Sequence, residues 1–140
     1  MIAQKPIVDR LGEAGLRHVS GLLEWASLTE APRAVPAFFV VPESDTAGPN
    51  KMGTQVLDQR VAEQFGVIVV VEARARGDNM VDDGLQKQVD RVVDALLLWR
   101  HPEADSPTEY GGGRLLSADG YRVAWLIRFT TSRHIRKEAQ

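Results

Sequence analysis

The side chains that could do chemistry in this chain are three histidines, a scatter of carboxylates and serines, and one run of glycines. Their spacing limits what they can do. His18, His101 and His134 show no paired spacing of the His-x-x-x-His kind, so no metal-binding face emerges from them. Asp78, Asp82 and Asp83 could serve a hard cation, but the pattern of a calcium loop is missing and helix capping accounts for them. Ser20, Ser27, Ser44, Ser106, Ser117 and Ser132 stand in no Gly-x-Ser-x-Gly context. Glu24, Glu43, Glu63, Glu72 and Glu109 are carboxylates of a kind found in any soluble domain. With no cysteine, thiolate nucleophiles, thiolate metal sites and disulfides are all ruled out. The expectation is no catalytic residue, no cofactor and no metal.

Gly111-Gly112-Gly113 invites comparison with a phosphate cradle, which follows a strand and opens a helix. Here the glycines follow a loop and open a strand, so a flexible strand start or a close approach to a neighbouring chain is the better reading. Trp25, Trp99 and Trp125 read as core residues. A stacking platform for single-stranded nucleic acid needs aromatics interleaved with basic residues on one exposed face, and only Tyr121, Trp125 and Arg128 come near that.

The remaining bounds come from the whole chain. A formal net charge of -2 argues against non-specific nucleic-acid binding as the main role. The hydrophobic share of 44% and charged share of 26% are those of a globular protein. No apolar run approaches the ~20 residues of a membrane span, and Met-Ile-Ala-Gln-Lys-Pro lacks the apolar centre of a signal peptide. The expectation is a cytosolic protein with no membrane role, built as the single domain 1–140.

The elements that must position these residues centre on Gln64 to Arg74. Phe65, Val67, Val69 and Val71 fall on one face of a strand, Ile68 and Val70 on the other, and Gly66 marks a bulge or bend. Apolar residues on both faces predict a central strand covered on both sides. Before it, Pro6 to Leu28 has helical period, Thr29 to Pro36 is a connector, and Ala37 to Val41 is a short strand. Glu43 to Thr54 reads as a long polar loop, and Gln55 to Glu63 as an extended arm pairing back toward Ala37–Val41.

After the central strand, Ala75 to Asn79 is a loop, with Asp78 or Asn79 capping a helix that runs to Arg100 before Pro102. Asp82 and Asp83 suit its first turn, and the apolar run Leu96 to Trp99 predicts a helix end buried on two faces. His101 to Tyr110 is an acidic loop. Arg114–Ser117 and Tyr121–Thr131 form a hairpin around Ala118-Asp119-Gly120, with Tyr121, Val123, Trp125, Ile127 and Phe129 on one face. The last residues, 133–140, read as a frayed polar tail. The order α-β-β-α-β-β makes an α+β fold, a mainly antiparallel sheet flanked by two helices.

Four collinear segments together resemble the tail terminator proteins of long-tailed bacteriophages, the small terminators of Mu-like and related siphophages. They are Pro36-Ala-Phe-Phe-Val-Val-Pro-Glu with its polar loop; Gln59-Arg-Val-Ala-Glu-Gln-Phe-Gly-Val-Ile-Val-Val-Val; Ala95-Leu-Leu-Leu-Trp-Arg-His-Pro; and Tyr110-Gly-Gly-Gly-Arg-Leu-Leu with Trp125 and Phe129-Thr-Thr downstream. Ile7-Val8-Asp9-Arg10-Leu11 in the first helix agrees. The resemblance implies an α+β subunit assembling as a homo-hexameric ring on the head-proximal end of the tail tube. Such a ring stops tube polymerisation, meets head-completion or connector proteins, and encloses the passing DNA without specific binding. It places the protein in the neck region of the virion tail, assembled in the host bacterial cytoplasm. It carries over no catalytic, cofactor or metal residue.

The polar loop supplies the expected contacts with a neighbouring subunit or the tube: Asp45, Asn50 and Lys51 as polar groups and Met52 as an adaptable apolar one. Two other readings stand beside the terminator. One is a head–tail connector or tail-completion protein of similar size, and the other a small-ligand-binding α+β domain.

Overall fold

The computed structural model describes residues 1–72, 80–119 and 121–139, with the backbone alone for residues 80–83. The elements are α1 (Lys5–Glu13), β1 (Val19–Ser20), α2 (Leu22–Ala26), β2 (Ala37–Ala47), β3 (Val56–Glu72), α3 (Met80–Leu96), β4 (Glu109–Asp119) and β5 (Arg122–Glu138). They build a five-stranded sheet in the order β1-β2-β3-β5-β4. Only the β1–β2 pair is parallel. The expected α+β class with a mainly antiparallel sheet is what forms. A third short helix and a fifth short strand add to the six expected elements.

The expected first helix, Pro6 to Leu28, breaks near its middle. Gly15 takes φ 91°, Leu16 N–H reaches back to the Leu11 carbonyl, and Gly15 N–H reaches the Gly12 carbonyl. That is a Schellman stop, in which a glycine accepts left-handed backbone and the next apolar residue packs under the last turn. Leu11 and Leu16 are both buried accordingly. The chain then forms β1, pairing Val19 with Phe38, before the single turn of α2 begins at Gly21, whose N–H donates to Glu24.

Strand β3 is the axis of the molecule. Its inner half, Phe65 to Val71, is buried on both faces, as the sequence predicts. One core layer joins Phe38, Val40, Phe65, Val67, Val69, Ile127 and Phe129 to Ile7 and Leu11 of α1 and Val92 and Leu96 of α3. The other joins Phe39, Val41, Ile68, Val70, Ala124 and Leu126, with Trp25 of α2 packed on it.

The arm before the central strand is extended, as expected, but it is the first half of the same strand. Its main partner is β5, in unbroken register from Val56↔Glu138 to Glu72↔Arg122. Residues 133–138, expected to fray, are therefore a strand, because each pairs with the arm of β3. On its other edge the arm meets Asp45–Ala47, not Ala37–Val41, which pairs with Gly66–Val70. Strand β2 thus runs to Ala47 and the polar loop shrinks to 48–55. At ~3.3 Å per residue, β3 is about 55 Å long, and its outer half, residues 56–64, forms a ribbon with β5 that joins neither core layer.

Gly66 is not a bulge; the register shift lies opposite, between Pro42 and Ser44. A Cβ at Gly66 would sit 2.6 Å from Leu126 Cδ1 and 2.9 Å from Glu43 Oε1, so glycine there lets Glu43 reach Arg128 across the sheet, 2.8 Å away.

Helix α3 stops at Leu96 rather than Arg100, because the chain turns through Leu98 at φ 64° and Leu98 N–H pairs with Thr108. The expected burial on two faces fails for the same reason. Leu96 is fully buried, while Leu97 and Leu98 lie in solvent. The expected 75–79 loop, with its Asp78 or Asn79 cap, and the Gly120 of the hairpin turn lie outside the described residues. So do the side chains of Asp82 and Asp83. Either side of that turn, β4 and β5 form the expected hairpin, and β4 extends back to Glu109.

Candidate functional site

The three histidines go to three unrelated places. His18 is exposed in left-handed backbone at φ 57°. His101, expected at the surface or half buried, is fully buried, because it latches the N-terminal segment to the loop after α3. Its Nδ1 accepts Glu103 N–H at 3.0 Å, which leaves Nε2–H to donate to the Ala3 carbonyl at 2.7 Å. Glu103 completes the latch by accepting Ala3 N–H at 2.7 Å. Both nitrogens of this histidine are in use.

His134 donates from Nδ1 to the Asp105 carboxylate, and Asp105 also accepts from Ser132 Oγ at 2.9 Å. Ser106 Oγ lies 2.8 Å from Ser132 Oγ and 3.3 Å from Thr131 Oγ1. The residue types are those of a Ser-His-Asp relay, but the connectivity is wrong. A relay needs the serine on the free imidazole nitrogen, and here the serine sits on the carboxylate. The cluster is a clamp that fastens the 101–108 loop to the edge of β5, backed by Asp105 N–H donating to Ser132 O at 2.9 Å. Burial pushes the Asp105 carboxyl up, but the His134 and Ser132 hydrogen bonds and the charges of His134 and Arg60 outweigh it and hold the group below the usual carboxylate range.

Glu63 is the one buried carboxylate among the described residues, 2% exposed. Arg133 Nε donates to it at 2.7 Å across the β3–β5 ribbon, and the Met1 amino group lies 3.5 Å away. Glu24 and Glu43 are likewise tied up, on Gly21 and Arg128. Among the described residues no group of three or more histidines and carboxylates is placed to hold a metal ion.

Gly111–Gly113 lie within β4, not at a helix start, with Gly112 at φ 103° beside a register shift. Trp125 packs with the first core layer while Arg128 projects from the opposite side of the strand, so the stacking platform does not assemble.

The four expected contact residues are divided by the structure. Asp45 belongs to β2, paired with Glu63, and accepts from the Met1 amino group at 3.1 Å. Asn50 faces its own loop: Nδ2 donates to the Gly53 and Val56 carbonyls, and Oδ1 accepts from Met52 and Asp58 N–H. Lys51 and Met52 stand exposed at the tip. Two surface features do not follow from the sequence, the apolar Leu97–Leu98 turn after α3 and a groove beside Trp25 and Leu28 lined by polar and apolar residues alike. Periodicity gave no warning of either. The only local hint was the absence of Gly or Asn where α3 turns off.

Taken together, these features define a small α+β domain whose polar clusters are spent on holding loops and termini. The chain belongs to the phage tail terminator family: the family model described as "Phage tail terminator protein" matches residues 1–140, the whole chain. No curated protein matches it. It is accordingly a structural component of bacteriophage tail assembly, and no described helix is long and apolar enough to cross a membrane.

Proposed function

We propose that the protein acts as a hexameric ring that caps the head-proximal end of the tail tube, stops tube polymerisation and offers its other side to the head-completion proteins. The observation that carries this is the family match over the full length of the chain. Two features support it. Among the described residues the sheet ends on β4, an 11-residue outer strand with no further strand beside it, and the part of the β3–β5 ribbon that carries the 48–55 loop lies outside both core layers. Both suit contacts with neighbours better than a solitary life, since open edges invite pairing. A subunit of net charge -2, repeated around a ring, leaves passing DNA free to slide.

The test is light scattering and negative-stain microscopy of the purified protein, alone and with tube protein. The expected result is a closed ring of six, enriched at tube ends, with tubes of uniform length. A monomer at every concentration that also ignores tube ends would overturn the reading.

A further inference from the structure

Asp45 on β2 and Glu63 on β3 are directly opposed in the sheet register. Like charges facing each other across antiparallel strands repel, and Glu63 is buried, so water does little to screen it. Two cations answer the two carboxylates. Arg133 Nε lies 2.7 Å from Glu63 Oε1. The Met1 amino group lies 3.5 Å from that same oxygen and 3.1 Å from Asp45 Oδ2. Among the described residues no side chain pairs with Asp45, so the amine is its counter-ion.

The chain brings the amine there on a fixed path. Ile2 is buried in the first core layer, and its carbonyl accepts from Gln4 Nε2 at 2.8 Å. Ala3 is held through both backbone groups, its N–H on Glu103 at 2.7 Å and its carbonyl on His101 at 2.7 Å. Seating the amine therefore costs little further conformational freedom. A cavity of about 240 Å³ opens at this place, with Met1, Ile2, Gln4, Ser44, Asp45 and Glu63 among its walls. Gln4 Oε1 is buried without a partner, one more acceptor in a lining that already favours a cation.

We propose that the Asp45–Glu63 pair is a receptor for the chain's own N-terminal ammonium, and that removal of an N-terminal formyl group completes the fold. In a chain that starts at Met1, the first segment locks onto the ribbon strands only when its amino group is free and charged. Bacterial synthesis starts on a formylated methionine. In its hydrolysis, water adds to the formyl carbon, the C–N bond breaks, formate leaves and the nitrogen is left as the ammonium. The formamide before that step is neutral. A chain that keeps it holds two opposed carboxylates with Arg133 alone. The Asp45 half of the contact is solvent-exposed and worth little by itself. The weight falls on Glu63, whose burial leaves it dependent on the cations beside it. Capture of a terminal amine is a known recognition mode, here turned inward. The inference is independent of the ring reading.

The test compares the full-length protein in two forms, one from untreated bacteria and one from bacteria whose deformylase is inhibited. Intact mass assigns the N-terminus of each. The untreated protein should carry Met1 with no formyl group; a retained formyl group or another first residue overturns the proposal. Hydrogen exchange then reads the Ala3 N–H, which the lock protects through Glu103. The formylated protein should exchange this amide at least ~10-fold faster and melt at a lower temperature. Asp45→Asn, at a half-exposed strand position, is made in both forms. With that carboxylate gone, formylation should change exchange and melting by less than half as much, as for two members of one interaction. Equal exchange and melting of the two wild-type forms overturns the proposal. So does a formylation effect of the same size in Asp45→Asn, which would trace the loss to the bulk of the formyl group and not to the missing charge.

Discussion

Gly113 lies flat against the indole of Trp125: a Cβ built on it would fall 2.6 Å from Nε1 and 3.1 Å from the Leu126 carbonyl oxygen. The glycine is there because β4 must pass over a tryptophan on the neighbouring strand without lifting off. Gly113→Ala must therefore push the indole out of the first core layer or peel β4 from β5. Overpacking of this kind costs about 1–3 kcal/mol. The expected result is a melting point several degrees lower with a shift in tryptophan emission. A wild-type melt and spectrum would show that the edge strand has slack.

Val69 is fully buried at the centre of β3, opposite Trp125 on β5. Val69→Asp places an unpaired carboxylate inside the first core layer, with a penalty large against a total stability of about 5–15 kcal/mol. No soluble folded protein is expected. Trp125 is only partly buried, so Trp125→Ala should fold, with a loss nearer ~2 kcal/mol than the 3–5 of a fully buried aromatic. Soluble expression with native circular dichroism for Val69→Asp would displace β3 from the centre of the sheet.

What the sequence made legible follows from periodicity. Val67 to Val71 announced a strand covered on both faces because five β-branched residues in a row suit nothing else. Val123, Trp125, Ile127 and Phe129 announced a strand by their shared face, but not that it pairs with the central one. The outer ribbon was harder, since Arg133 to Glu138 has the composition of a tail and becomes a strand only because β3 continues beside it. The break at Gly15 was readable in principle: Gly15 followed by Leu16, five residues after Leu11, is the pattern of a Schellman stop. Helical spacing across the break hid it. For the candidate site, composition pointed to the loop whose tip carries Lys51 and Met52, which are exposed. It could not show that the Asn50 amide is consumed within the loop, or that Leu97 and Leu98 would be turned outward by a pairing with Thr108.

Glu63 and Arg133 join the two strands of the β3–β5 ribbon. Arg133→Ala leaves the Glu63 carboxylate buried without its closest cation, and breaking such a pair from one side costs about 3 kcal/mol. Arg133→Ala combined with Glu63→Gln removes the stranded charge as well and should recover much of that loss. Chemical denaturation of the three proteins is the measurement. Equal stability for the single and double variants would mean that the Met1 amino group or solvent already satisfies Glu63.

The Asp105 clamp gives stability a defined pH dependence. Its carboxyl lies below the ordinary value in the folded protein, so the folded state binds the proton less readily than the unfolded chain does. The contribution is then fully present above the unfolded pKa of about 3.9 and is lost as pH falls through the lower folded value. Asp105→Asn should be less stable than wild type at pH 7, and the gap should close as pH drops below about 4. A constant gap down to the acid transition would remove Asp105 ionisation from the explanation.

The 48–55 loop separates a residue that shapes the loop from residues that can reach outward. Asn50 satisfies all the hydrogen-bonding capacity of its amide on Gly53, Val56, Met52 and Asp58, so Asn50→Ala strands donors and acceptors of the turn and should lower stability by about 1–2 kcal/mol. Lys51 and Met52 show only a backbone role, through Lys51 N–H on the Asp58 carbonyl and Met52 N–H on Asn50. Lys51→Glu with Met52→Ser should leave the melting curve of the free subunit within about 0.5 kcal/mol of wild type, as surface changes do. In the proposed ring the same pair of changes should impair association or tube capping, because the exposed tip spends neither side chain within its own subunit. The two readouts are denaturation of the unassembled protein and the length distribution of tails assembled with it. Tails of uniform length from the Lys51→Glu, Met52→Ser protein would make the loop a solvent-exposed turn with no partner.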